Sequence, residues 1–275
     1  MIVRAFLSFV FACFAVSPAH ALHVLIDPGH GGIDRGAVRG NLRESEIALK
    51  VALQLAELLR ANKDFQVSLT REKDETVSLD RRTQIAKQIK ADILVSIHLN
   101  SSTDKRAHGK EFYFQNQLPA DEDSMFLASQ ENEEVAHNDI ADKKSDKLSA
   151  ETDIRLIIDD LKRGERIRSS GEFSKILYET WKKSGYGHDT GSRAIRQAPF
   201  RVVSFVEVPS VLVELGFLSS PVEGPRLATA SYQSVLAKSL YDGIVKYKES
   251  FANPSTAPVN STAWQQGSMV ENSTN

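Results

Sequence analysis

Apolar and polar positions fall in blocks along this chain, and the period of each block predicts an element. His23 to Ile26 is a short apolar run bounded by Pro28-Gly29, the pattern of a buried strand running into a turn. From Glu46 to Asn62, the residues Ile47, Val51, Leu55 and Leu58 or Leu59 recur at helical spacing and give one apolar face. Phe65 to Leu69 alternates like a strand and ends at Thr70-Arg71. Ser78 can cap the next helix, with Leu79, Ile85, Ala86 and Ile89 facing inward. Asp92 to His98 is a strongly apolar strand that ends in a histidine, and Lys110 to Gln115 is another, with Phe112, Tyr113 and Phe114. Later, Arg201–Val206 and Val211–Leu215 read as two strands on either side of Glu207-Val208-Pro209-Ser210, and Leu236, Leu240, Ile244 and Tyr247 make a closing helix. Strands alternating with helices predict an α/β class: a single domain with a twisted, mostly parallel or mixed sheet of about six strands and helices on both faces. Ligands of such sheets collect at the carboxyl ends of the strands, where His30 and His98 fall.

The stretch from about Asn116 to Ser170 breaks this rhythm: it is polar, charged and without strand signals. Met125, Phe126, Leu127, Val135 and Ile140 predict one amphipathic helix. Ile154, Ile157, Ile158 and Leu161 predict a second, and Phe173, Ile176, Leu177 and Trp181 a third. Asn138 to Ala150, rich in Asp, Lys and Ser, reads as a mobile connection, and Gly185 to Gly191 as a loop. From about Phe251 the chain is Asn, Ser, Thr, Pro and Gln with little apolar content, so 251–275 is expected to be a disordered tail.

Composition adds little except at the amino terminus. The 275 residues are 41% hydrophobic and 25% charged, ordinary for one large domain or two small ones. A net charge of -2 gives no basic field for nucleic acid or an anionic membrane surface, and no nucleic-acid partner is expected. Arg4 precedes an almost wholly apolar run, Ala5 to Val16; Ser17-Pro18 breaks it, and Ala19-His20-Ala21 is an A-x-A cleavage site. These are the three parts of a secretory signal peptide, residues 1–21. The run is too short for a comfortable membrane span, and Phe11 is too bulky for lipoprotein processing at Cys13. Cleavage after Ala21 leaves an exported, periplasmic chain with no cysteine, expected to be a monomer without a membrane span. A metal site in it has to be built from His and carboxylates.

Four stretches can carry chemistry. Asp27-Pro28-Gly29-His30-Gly31-Gly32 and Ser96-Ile97-His98-Leu99-Asn100 each put a histidine at a strand exit, and Leu42-Arg43-Glu44-Ser45-Glu46 puts carboxylates at the entry of the first long helix. Two neutral imidazoles and one carboxylate form a zinc set that leaves a position open for water. In Pro209 to Leu218, Glu214 lies within an otherwise apolar strand; a carboxylate buried there has a raised pKa, suited to a general base or acid. Taken singly, His30 and His98 could also be hydrogen-bonded core residues, Glu46 competes with Glu44 as a dipole-favoured first-turn residue, and Glu214 could be half of an ion pair. His108, His137 and His188 lie in polar surroundings and read as surface residues, and His23 sits at the wrong end of its strand.

Together the four stretches resemble the motifs of the zinc-dependent N-acetylmuramoyl-L-alanine amidases, the cell-wall amidases of bacterial daughter-cell separation. The resemblance runs from Leu22 to Lys248 and takes in lesser landmarks: Thr70-Arg71, Ser78-Leu79 with Arg82, Ile85-Ala86, Ala91-Asp92, and Gly216-Phe217-Leu218-Ser219 before Pro221. Several motifs in the right order make it specific. It implies a catalytic domain over 22–250 that binds Zn2+ through His30, Glu44 and His98. Glu214 is then the catalytic carboxylate, and the bond cut is the amide between N-acetylmuramic acid and L-alanine of peptidoglycan. The insertion over about 116–170 resembles a regulatory segment in which a helix lies over the metal. By that likeness Leu127 to Glu133 is the helix, Glu131 reaches the zinc, and a protein activator has to displace it; otherwise Glu131 is one of several solvated acids beside Glu133 and Glu134. The rival readings are a zinc hydrolase of another amide and a catalytically silent wall-binding or regulatory module.

Overall fold

The computed structural model describes residues 21–115, 117, 119–133, 150–184 and 194–252. In chain order these form β1 (Leu22–Pro28), the short β2 (Val38–Arg39) and β3 (Leu42–Arg43), α1 (Glu44–Arg60), β4 (Phe65–Leu69), α2 (Leu79–Gln88), β5 (Ile93–Asn100) and β6 (Glu111–Phe114). There follow α3 (Glu122–Asn132), α4 (Ala150–Lys183), β7 (Ile195–Gln197), α5 (Arg201–Ser204), β8 (Ser210–Phe217), α6 (Glu223–Leu227) and α7 (Ala230–Ala252). Six strands make one mixed sheet in the order β4-β1-β5-β8-β6-β7. The first four run parallel; β6 is antiparallel to β8, and β7 lies parallel to β6. Helices cover both faces, as the alternation of strand and helix predicts.

Side chains of a strand alternate between faces, and here the alternation decides where the chemistry lies. Val24, Ile26, Val95, Ile97, Val211 and Val213 pack with residues of α1, α4 and α7. Leu25, Leu94, Tyr113 and Leu212 pack on the opposite face with residues of α2, α3 and α5. Period two then puts Asp27, Ser96, His98, Glu214 and Glu111 on that second face, at one end of the sheet. The apolar runs are buried throughout, and β5 and β8 are each buried at all eight positions.

Several elements depart from the sequence reading. The first long helix begins at Glu44 rather than Glu46, and its first turn holds both acids. Arg201–Val206 is not a strand: Arg201–Ser204 is one helical turn, with Val202 and Val203 both buried. Adjacent buried valines break the alternation a half-buried strand needs. β7, only three residues long, carries too little pattern to be read. The two helices expected within 154–181 are one continuous 34-residue helix, α4. The closing helix runs to Ala252, so Phe251 belongs to its last turn and stacks edge-on against Tyr247 at 4.7 Å. Ser78 caps α2 as expected, accepting from the Arg81 amide. The signal peptide through His20, Val135, His137, Ile140, most of the 138–150 connection, the 185–191 loop, His188 and the tail beyond Ala252 lie outside the described residues. Among the described residues no helix is long and apolar enough to cross a membrane.

Candidate metal centre

β1 delivers its carboxyl end to Gly29-His30-Gly31-Gly32. His30 has φ 55, a left-handed backbone that few non-glycine residues adopt. Gly31 and Asp34 then bridge, the Gly31 amide donating to the Asp34 carbonyl at 2.8 Å. That fold brings the Asp34 carboxylate to 2.7 Å from His30 Nδ1. A carboxylate accepts, so Nδ1 is the donor in this contact and Nε2 is the ring nitrogen that faces inward.

Glu44 is the first residue of α1 and is 1% exposed. Its Oε2 accepts from the Ala37 amide at 2.8 Å and its Oε1 from the Leu99 amide at 2.9 Å, which fixes the carboxylate between the loop before β2 and the end of β5. His98 leaves β5 on the same face. Glu44 Oε1 lies 3.1 Å from His30 Nε2 and 3.0 Å from His98 Nδ1. From α3, Glu131 Oε2 reaches 3.2 Å from His30 Nε2 and 3.1 Å from His98 Nδ1. One donor atom from each of these four residues lies within 4.8 Å of all the others.

The space around the donors is cut to fit them. A Cβ on Gly29 would lie 2.5 Å from the His98 ring, and one on Gly36 would lie 2.6 Å from both Glu44 Oε2 and the His30 ring. Electrostatics agree with the geometry. Burial opposes charge on His98, but Glu131 and Glu44 outweigh it and push its pKa up to about 10. Burial likewise opposes charge on His30, and Glu44, Asp34 and Glu131 raise it well above the ordinary histidine value. The carboxylates move the other way: burial is overcome by His30 and His98 at Glu44, which is held well below its usual range, and by His98 and His30 at Glu131, held at about 2. The two buried carboxylates thus favour positive charge at the point they share with His30 and His98. His30 Nε2 and Glu131 Oε2 face each other in the interior without hydrogen-bond geometry, as donors aimed at a shared point would. A divalent cation fits this donor set.

Glu214 stands beside His98 in the β5–β8 register, 1% exposed, and neither carboxylate oxygen has a hydrogen-bond partner among the described residues. Burial raises its pKa well above the ordinary value; His98 pulls it back, while Glu44, Glu131 and Glu111 add to the rise. Next to the cluster is a cavity of about 70 Å³, lined by Thr76, Ser78, Leu79, Phe200 and Val202 together with Glu131 and Asn132 of α3. That is far below the roughly 300–1,000 Å³ of ordinary ligand sites.

Of the candidates named from sequence, His30, Glu44, His98 and Glu131 meet, with Glu214 adjoining. Glu46 lies away from the cluster and pairs with Arg43 at 3.0 Å. His23 is buried at the amino end of β1, its Nε2 2.9 Å from Ser68 Oγ, and His108 is exposed. Asp34 is not legible in the sequence, because only the Gly31–Asp34 bridge brings its carboxylate to the His30 ring. Thr70, Arg71 and Arg82 were noticed only as landmarks, without a role.

The sequence profile of the family described as N-acetylmuramoyl-L-alanine amidase matches residues 24–246, from within β1 into α7. The chain belongs to this amidase family. It is 33% identical over 234 residues to the N-acetylmuramoyl-L-alanine amidase AmiA of Escherichia coli K12, across 84% of this chain and 77% of that one. Among solved structures, the N-acetylmuramoyl-L-alanine amidase of Clostridium difficile 630 superposes with a TM-score of 0.62 at 27% identity, covering 84% of this chain and 98% of that one. The catalytic domain of CwlV, the amidase of Bacillus (Paenibacillus) polymyxa, gives 0.61 at 26% identity over 83% and 98%. This member of the family is thus an enzyme, an amidase acting on peptidoglycan, and the described fold is that of an amidase catalytic domain.

Proposed function

We propose that the chain is an exported, zinc-dependent enzyme that hydrolyses the amide between the lactyl group of N-acetylmuramic acid and L-alanine during cell separation, and that the form described above is autoinhibited. The observation that carries this reading is the convergence of two imidazole nitrogens and two carboxylate oxygens within 4.8 Å, with a third carboxylate beside them. His30, Glu44 and His98 would hold the ion. Zinc, when bound, supplies a water of lowered pKa and a positive charge facing the amide carbonyl. Glu214 takes a proton from the attacking water and returns it to the nitrogen of L-alanine as that nitrogen leaves; burial strengthens it as a base. The products are a free lactyl carboxylate on the sugar and a stem peptide with an L-alanine amino terminus.

Glu131 supports the inhibitory part. Three protein donors leave a catalytic position open, whereas four close it, as in structural zinc sites. Substrate also needs more room than the present cavity gives, so α3 has to move for the enzyme to act. A protein partner that captures α3 would shift the population to the open form. Removal of residues 1–21 on export fits the apolar leader, and nothing in the charge balance calls for nucleic acid.

The test is digestion of purified peptidoglycan with the chain from Leu22 to Asn275 and zinc, beside the same chain carrying Glu131→Ala, with products identified by mass spectrometry. Stem peptides with an L-alanine amino terminus, released faster by Glu131→Ala, are the expected result. Equal rates would remove the autoinhibition and leave the amidase. Zinc-loaded protein that released other fragments would move the reading to a different amide, and one that released nothing from either chain to a silent module.

A further inference from the structure

Three successive carbonyls of the loop that carries His30 are gripped by two buried guanidiniums. Arg82 Nη1 donates to the Pro28 carbonyl and Nη2 to the His30 carbonyl, each at 2.7 Å. Arg71 Nε donates to Pro28 at 3.1 Å and Nη2 to Gly29 at 2.7 Å. The same Nη2 donates at 2.8 Å to the carbonyl of Ser45, the residue after Glu44. Arg82 is in turn fixed by Asp27, whose Oδ1 accepts from Arg82 Nη1 and Thr70 Oγ1 at 2.6 Å, while Oδ2 accepts from Ser96 Oγ at 2.7 Å. Arg71, Arg82 and Asp27 are all buried. The packing tolerates no side chain at the next residue: a Cβ on Gly31 would lie 2.9 Å from Arg71 Nε.

Stability alone does not call for this arrangement. Buried ion pairs hold a fold no better than well-packed apolar residues of similar volume. What a planar fork adds is direction, because its donors leave in fixed orientations that lysine cannot copy. With the carbonyls of Pro28, Gly29 and His30 turned toward the guanidiniums, the His30 backbone is held in its left-handed conformation and the ring is left facing the cluster.

We propose that Arg71 and Arg82 are positioning residues of the metal centre. They set the 28–30 backbone and the start of α1 so that His30 Nε2 and Glu44 Oε1 stand 3.1 Å apart before an ion arrives. Neither is among the four donors, and both act through main-chain carbonyls. This rests on the reading that zinc occupies the site.

The test compares the full chain with Arg82→Lys, Arg71→Lys and Lys110→Met. Lys110 is a buried cation whose Nζ bonds Tyr232 at 2.6 Å, and it lines a cavity with Phe112 and Leu177 on the other face of the sheet. Zinc affinity is read by competition with a chromophoric chelator, and melting temperature is read on zinc-free protein. Either arginine variant should bind zinc about 10–100-fold more weakly, the loss typical of removing an outer-shell partner. Lys110→Met should melt earlier with unchanged zinc affinity. Arginine variants that bind zinc like the parent, or whose loss of affinity is matched by Lys110→Met at a comparable drop in melting temperature, overturn the proposal. Hydrogen exchange on the parent chain gives a second reading that needs no variant. Amides of 29–36 should be equally protected with and without zinc, and protection that comes only with zinc overturns positioning in advance. A parent chain that binds no zinc overturns the zinc reading together with this one, whereas tight parent binding with unaffected variants overturns this one alone.

Discussion

Neither carboxylate oxygen of Glu214 has a hydrogen-bond donor among the described residues, although the residue is only 1% exposed. An isolated buried charge is strongly unfavourable, so the native fold tolerates Glu214 rather than needing its charge. Glu214→Gln is therefore expected to keep zinc and melt no earlier than the parent, yet to lower kcat about 10²–10⁴-fold, the usual worth of a general base. Calorimetry alongside product counting would check both halves, and a variant that melts early with its activity intact would contradict them. Asp34→Ala should loosen zinc about 10–100-fold by freeing the His30 ring, measured by chelator competition. At this scale the sequence was most legible where a polar side chain ends or interrupts an apolar strand: His30 and His98 could be picked at strand exits and Glu214 within β8. Glu44 and Glu46 could not be separated by spacing alone, because both fall in the first turn of α1, and only Glu44 accepts from the amides of Ala37 and of Leu99 in β5. Asp34 was hidden because four residues apart means contact on a helix but nothing in a glycine-rich loop, until the Gly31–Asp34 bridge closes it. Arg71 and Arg82 were opaque for another reason: main-chain carbonyls, their targets, have no signature in a sequence.

α3 is held lightly for an element that crosses the centre. Only Ser124, Leu127 and Ala128 are buried, while Met125 and Phe126 face outward. Its ends do most of the fastening. Asp121 caps the amino end, accepting from the Ser124 amide at 3.0 Å, and also pairs with Arg196 of β7. At the carboxyl end Asn132 donates to the Pro199 carbonyl at 3.0 Å and accepts from the Arg201 amide at 2.8 Å. Removing a cap is worth about 1 kcal/mol, close to a fivefold shift between closed and open forms. Asp121→Ala and Asn132→Ala are each expected to raise the partner-free rate of stem-peptide release several-fold, with their combination exceeding either alone. Rates at or below the parent's would show that these ends do not restrain the helix. Of the fastening elements, β7 was not read from sequence at all and α5 was read as a strand. Short elements get their shape from what they pack on: Val202 and Val203 from the face that holds Leu212, Ile195–Gln197 from pairing with β6. α4 was misread in the opposite sense, since a 34-residue helix spanning exposed and buried surroundings changes its apolar pattern midway.

At the scale of the molecule, the fold was legible because β1, β5 and β8 are apolar enough to be strands in any context, and the helices between parallel strands follow from their connection. Acid stability hangs on the same interior. Burial raises the pKa of Asp27, but Arg82, Ser96 and Thr70 outweigh it and hold it below the ordinary aspartate value. A carboxyl depressed in the folded state stabilises fully above its unfolded pKa of about 4, and that stability is lost as pH falls through the folded value. Melting temperature should therefore decline as pH drops below about 4, and less steeply in Asp27→Asn, whose overall stability is lower; identical slopes in an acid titration by circular dichroism would exclude Asp27 as a source. Zinc at about 100 times its dissociation constant should add about 2.7 kcal/mol, and chelation should remove it as a drop in melting temperature. The attachment of α3 to the rest of the chain has a kinetic corollary. The helix follows β6 through 115–121 and precedes α4 through 133–149, so a single cut in the second connection still leaves it leashed to the sheet. A leashed segment meets its own site at an effective concentration in the millimolar range. On the autoinhibited reading proposed above, Glu131 would return at the speed of intramolecular diffusion once a partner let go, without new protein being made. The proposed inhibition would then act as a spring-loaded brake rather than a zymogen seal: the enzyme would work only while α3 is held away, and a cut within 133–149 would not leave it permanently on.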